Sequence, residues 1–151
     1  MSKHKKESMN LHNIIQILKS DLINEMTHMM FYLRNSASLK GLHRQEIREL
    51  FLEEAASEMK HVQQFQDMIV GLGGNIAGLM PKEVPSYQCP SKAVRHAYNM
   101  EIEVVRNYVD RISQSQELGG VDGQFLEIFL EEQILHSRTD ADNLKLLCLE
   151  E

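Results

Sequence analysis

Apolar residues recur at three- and four-residue intervals in four long runs, the period of a helix buried along one face. The first run, Met9 to Leu39, carries Leu11, Ile14, Ile15, Leu18, Leu22, Met29 and Tyr32 on one stripe, with Gly41 past its end. The second, Leu42 to Leu72, carries Ile47, Phe51, Ala55, Val62, Phe65, Ile69 and Leu72. A third helix is expected from a cap at Ser91 to Gly119-Gly120, with Val94, Ala97, Val104, Val105, Tyr108 and Ile112 inward. A fourth follows Asp122, its stripe read as Leu126, Phe129, Gln133, His136, Asp140, Leu144 and Leu147.

Between the second and third runs lies an aperiodic stretch, Leu72 to Pro90, with three of the eight glycines and Gly71 just before it. The three prolines all fall between Met80 and Ser91. A connection this long spans something, here the length of a helix. The prediction is an all-α domain over 9–151, an antiparallel four-helix bundle with one long crossover between the second and third helices. Residues 1–8 are expected to form a flexible basic N-terminus.

Three carboxylates break the pattern. Glu25, Glu58 and Glu101 each sit inside an apolar stripe, where an unpaired carboxylate costs several kcal/mol or shifts its pKa until it is neutral. Glu58 and His61, three residues apart, face the same way. Glu and His are standard ligands for iron, manganese and zinc, although a single E-x-x-H also arises as a surface pair. The spacing repeats. Glu25 is followed by Tyr32 seven residues on and by His61 after 36 residues; Glu101 is followed by Tyr108 seven residues on and by His136 after 35. Two similar helix hairpins thus bring four polar groups to the middle of one bundle.

Charge and composition narrow the alternatives. A formal net charge of −6 gives no nucleic-acid footprint beyond the short segment Lys3-His4-Lys5-Lys6. No apolar run is long enough to span a bilayer, so a cytoplasmic location is expected. Two cysteines, Cys89 and Cys148, offer neither a disulfide framework nor a C-x-x-C metal site. The hairpin places them at one end of the bundle, as free thiols in a reducing compartment. His4, His12, His43 and His96 have no partner at ligand spacing and are expected to face solvent.

On these residues the chain resembles the ferritin-like di-metal carboxylate proteins, and bacterioferritins most of all. Their ligand pattern is one Glu from each of two helices and Glu-x-x-His from each of the others. Glu25, Glu58, His61 and Glu101 match it, as does Glu58-Met59-Lys60-His61 followed by Leu72-Gly73-Gly74. The resemblance implies a di-iron ferroxidase that oxidises Fe(II) with dioxygen or peroxide for iron storage or detoxification. It also implies a homo-oligomer, a dimer or larger. Manganese or zinc in place of iron, another di-iron oxidoreductase (peroxidase or oxygenase), and a non-catalytic helical binding module are the alternatives.

The chain departs from that pattern in two places. Gln133 stands where bacterioferritins have a bridging Glu, so His136 with Glu132, rather than Gln133, is expected to complete the site. Few residues follow His136, and the short fifth helix of cage-forming relatives is not expected. Tyr32 and Tyr108 are candidates to hydrogen-bond metal-bound carboxylates. Met59 occupies the position that supplies a haem axial sulfur in bacterioferritins, but haem b is the less favoured expectation.

Overall fold

The computed structural model describes residues 8–148, so the basic segment 3–6 lies outside the described residues. Four helices make up almost all of it: α1 Leu11–Ser38, α2 Arg44–Gly71, α3 Pro90–Leu118 and α4 Gly120–Cys148. Asn10 caps α1, its side chain accepting from the Asn13 N–H at 2.8 Å. Two expected caps lie elsewhere. α3 begins at Pro90, which has no N–H to satisfy and suits a first helical position, so Ser91 falls inside the first turn. α4 begins at Gly120, and Asp122 sits in its first turn, where a carboxylate complements the helix dipole.

Only Gly119 separates α3 from α4. Its φ of 67° is one that side-chain-bearing residues rarely adopt. One turn on, a Cβ at Gly123 would stand 2.5 Å from the Ser115 carbonyl oxygen, so the second arm packs directly on the backbone of the first.

α1 packs chiefly on α2, and α3 on α4. The crossover then runs alongside α1 in the same direction. Its hydrogen bonds advance in step with that helix: Lys82 N–H to Thr27 Oγ1 at 3.0 Å, Tyr87 N–H to Asn35 Oδ1 at 2.7 Å, and Lys40 N–H to the Gln88 carbonyl at 2.8 Å. The segment expected to bridge the bundle lengthwise does so.

The core is in two parts. One gathers Ile14, Leu18, Leu22, Phe65, Ile69, Tyr108, Leu126 and Leu130. The other gathers Phe31, Tyr32, Phe51, Val94, Ala97 and Leu144. Each fully buried Phe or Leu contributes about 1.5–3 kcal/mol. Along α1, α2 and α3 the two parts are separated at Glu25, Glu58 and Glu101, all at most 1% exposed. The bundle therefore carries a polar layer between two apolar cores. No helix among the described residues is long and apolar enough to cross a membrane.

Candidate metal centre

Each helix places part of the polar layer. Glu58 and His61 lie one turn apart on α2, and Glu25 faces them from α1. His61 Nδ1 is 3.3 Å from Glu58 Oε2 and 3.5 Å from Glu25 Oε2. Donor atoms of these three buried residues all lie within 4.8 Å of one another. A second group, Glu54, Glu101 and Asp140, meets the same limit. There Glu101 is fully buried, while Glu54 and Asp140 are partly exposed.

The two hairpins are tied across the layer by matching bonds. The Tyr32 hydroxyl donates to Glu101 Oε1 at 2.8 Å, and the Tyr108 hydroxyl donates to Glu25 Oε1. Each tyrosine thus holds the carboxylate of the opposite hairpin, which is the relation suggested by the seven-residue spacing. One turn from Glu25, buried Asp21 takes two bonds from Arg111, at 2.7 and 3.1 Å, clamping α1 to α3.

Charge within the layer is unevenly distributed. Burial pushes Glu25 up, but the close approach of Glu58 and His61 outweighs it and holds the carboxyl at about 2. Burial and the neighbouring carboxylates of Glu25, Glu101 and Glu54 drive Glu58 far above the ordinary range, so Glu58 keeps its proton. Burial lowers His61, but contact with Glu25 reverses the effect and leaves it raised. Burial together with Asp140 pushes Glu54 and Glu101 up to about 8 each. Glu25 Oε2, Glu54 Oε2, Glu101 Oε2 and Gln133 Oε1 are buried without a hydrogen-bond partner. Buried acceptors in such numbers call for a cation or for protons, and this donor set fits a carboxylate-rich metal site.

The fourth helix departs from its expected register. Its buried line is Gly123, Leu126, Leu130, Gln133, Ser137, Ala141 and Leu144. Gln133, not Glu132, turns inward; its Nε2 donates to Gln64 Oε1 at 2.9 Å. Glu132 is exposed beside Gln64 and Phe129, in neither cluster. His136 stands at the edge of the layer, exposed, its ring centre 5.8 Å from that of His61.

One other residue differs from its expected place. His96 does not face solvent: it stacks on Phe31 at 4.6 Å and bonds the Tyr87 hydroxyl at 3.0 Å. His28 is half-buried, with Nδ1 unpartnered. Met59 is 52% exposed on the outer side of α2. Cys89 and Cys148 are free thiols, and Cys148 shares an end cavity of about 260 Å³ with Pro90 and Ser91. Sequence reasoning missed Glu54 altogether and gave Asp140 a place on the α4 stripe but no ligand role. Their signal was spacing: Glu54 lies one turn before Glu58, and Asp140 one turn after His136.

Comparison with known proteins agrees with this geometry. A ferritin-like diiron-carboxylate protein of Bacillus anthracis is 25% identical, with a TM-score of 0.84 over 94% of this chain and 99% of its own. Two others share the fold. A Mycobacterium tuberculosis bacterioferritin is 17% identical, with a TM-score of 0.78 over 89% of this chain and 83% of its own. A Dps protein of Bacillus brevis is 13% identical, with a TM-score of 0.80 over 91% and 95%. No curated protein matches the sequence. The ferritin-like domain matches across residues 15–148, nearly the whole of the four-helix bundle, and the chain belongs to that family.

Proposed function

We propose that the polar layer binds a pair of iron ions and that the protein oxidises Fe(II) with dioxygen or peroxide, as a ferroxidase serving iron storage or detoxification. The observation that carries this reading is the set of buried, unpartnered carboxylate oxygens on Glu25 and Glu101 beside His61. Oxygen donors that outnumber imidazoles suit iron or manganese better than a sulfur-seeking metal. Bound iron supplies the redox chemistry: each of two Fe(II) ions gives up one electron, and the pair reduces dioxygen to hydrogen peroxide, or peroxide to water, with two protons.

The chain's own residues have distinct parts in this reading. Glu25, already ionised, and His61 offer the first donors. Glu58 joins them by giving up its proton. Glu101 lies across the layer, with His136 at its rim as a nitrogen donor from α4. Tyr32 and Tyr108 fix the two carboxylates so that each turns a second oxygen inward. The apolar cores on either side close the layer off along the bundle axis. Glu132 has no place in it. Assembly of copies into a dimer or larger oligomer in the cytoplasm belongs to the same reading. Leu52 and Met59, seven residues apart on the outer side of α2, are exposed apolar residues suited to such contact. A haem on Met59 would need a second chain.

The test is the double variant Glu58→Ala/His61→Ala. Paired iron binding and iron oxidation should both disappear, while far-UV circular dichroism stays helical. Iron oxidation at the unaltered rate would refute the proposal. Elemental analysis of the purified protein separates iron from manganese or zinc.

A further inference from the structure

We infer that Glu54, Glu101 and Asp140 form a cation site of their own, built of carboxylate oxygens alone, for a hard divalent or trivalent metal ion. The inference deepens the proposed iron chemistry, because Glu101 lies in that same polar layer. It assigns ligands that the family pattern does not.

The inward residue of α4 is Gln133, a neutral amide already engaged with Gln64. It cannot supply the negative charge that a second metal ion needs. The layer supplies that charge elsewhere. Glu54 lies one turn before Glu58 on α2, toward the core that contains Phe51. Asp140 lies seven residues beyond Gln133 on α4, toward Leu144 of that same core. Together with Glu101 they bring three carboxylates within 4.8 Å of one another.

An acidic cluster at a surface would mean little, but this one has a buried floor. Glu101 is 0% exposed. Its Oε1 is taken by the Tyr32 hydroxyl, and its Oε2 has no hydrogen-bond partner. Glu54 Oε2 is buried in the same unpartnered state. Glu54 and Asp140 remain partly open to solvent, so a hydrated ion can reach the site from outside. With His61 in the other cluster, this one has no nitrogen. Oxygen-only donors favour Mn(II), Fe(III) or a lanthanide over zinc.

The test uses metal-free full-length protein and two probes, Mn(II) and Tb(III). Equilibrium dialysis with elemental analysis should give two Mn(II) per chain for the parent, one for Glu54→Gln/Asp140→Asn, and one for Glu58→Ala/His61→Ala. Tb(III) at Glu101 would sit beside the Tyr32 phenol. Its tyrosine-excited emission should therefore fall at least tenfold in Glu54→Gln/Asp140→Asn and survive in Glu58→Ala/His61→Ala. Circular dichroism checks that both variants are folded. Two Mn(II) retained in Glu54→Gln/Asp140→Asn would overturn the inference, and so would loss of both ions together, which would mean a single merged centre. In either case the iron chemistry stands if Glu58→Ala/His61→Ala still abolishes oxidation. A parent that binds no metal overturns both.

Discussion

The metal-free protein should lose stability as pH rises above neutrality, which is unusual for an acidic helical bundle. The cause is Glu101, whose carboxyl is raised from an ordinary 4.5 to about 8 by burial and by the charge of Asp140. A raised carboxyl binds its proton more tightly in the folded chain than in the unfolded one. Its stabilising contribution is complete below 4.5 and is lost as pH climbs through about 8. Glu54, also at about 8, acts in the same direction, as does His61, whose raised imidazole favours the folded state at low pH. Glu25 is opposite in sign, but it acts only as pH falls from 4.5 toward 2. Burial lowers His28 and His96, which makes folding easier as pH rises, but that gain is complete once the unfolded imidazole, at 6.5, is neutral. A window above about pH 7 therefore leaves the slope to the raised groups, the buried carboxylates and His61.

The magnitude follows from linkage. A full pH unit between the two pKa values is about 1.4 kcal/mol. From pH 7 to 8, allowing for partial titration of Glu101 near 8, its share is about 1 kcal/mol. For a chain of this size that lowers Tm by about 2–4 °C, and Glu54 adds to it. The assay is thermal melting of chelator-treated protein at fixed concentration, in steps from about pH 7 to about pH 8.5. Glu101→Gln should flatten the slope and melt higher than the parent at the alkaline end. A bound divalent ion should also flatten it, with protons released on binding. A parent Tm that is level or rising across the window would refute the reasoning. A slope undiminished in Glu101→Gln would refute the assignment to Glu101.

Three other outcomes are expected. Tyr108→Phe leaves Glu25 Oε1 without its donor, which should destabilise the bundle by about 1–3 kcal/mol and weaken metal binding about 10- to 100-fold; a metal titration unchanged from the parent would contradict the role. Gln133→Glu should tighten Mn(II) binding while lowering the Tm of the metal-free protein, whereas Glu132→Ala, on an exposed side chain, should change stability by no more than about 0.5 kcal/mol and leave metal stoichiometry intact. Gly123→Ala drives a methyl group into the Ser115 carbonyl and should cost about 1–3 kcal/mol, measured by denaturant midpoint; an unaltered midpoint would show that the hairpin relaxes freely.

Three helices were legible because a carboxylate inside an apolar stripe is a rotational statement. Glu25, Glu58 and Glu101 fall at three- and four-residue steps from Leu22, Ala55 and Ala97, so whatever buries those residues buries the carboxylates too. The tyrosine spacing was equally readable, since seven residues return a helix to the same face. The fourth helix was not. Its inward line passes through Gly123, Ser137 and Ala141, small residues that carry little hydrophobic signal but let the helix approach its neighbours. Several of its large apolar residues lie off that line: Phe125, Ile128 and Leu135 are all at least 50% exposed. A reading led by side-chain size was therefore drawn through His136 and Asp140, which stand on the shoulder of the buried line.

That misreading bears on the chemistry, because the register of α4 decides which of its groups can reach the layer. A line through Gln133 puts a neutral amide at the place where the pseudo-repeat calls for a carboxylate, and it turns Glu132 to solvent. The deficit is made up within the same fold, one turn to either side of the recognised ligands, by Glu54 and Asp140. These residues escape a motif search because they precede Glu58 and follow His136 rather than forming part of an E-x-x-H. Hydrophobic patterning puts Asp140 on its stripe but passes over Glu54, since a partly exposed acid on a bundle rim resembles a solvated face. What sets them apart is the buried Glu101 between them, with one oxygen held by Tyr32 and the other unpartnered. Burying that oxygen is unfavourable unless a proton or a cation meets it. The two apolar cores on either side supply the stability that lets the bundle carry such a layer.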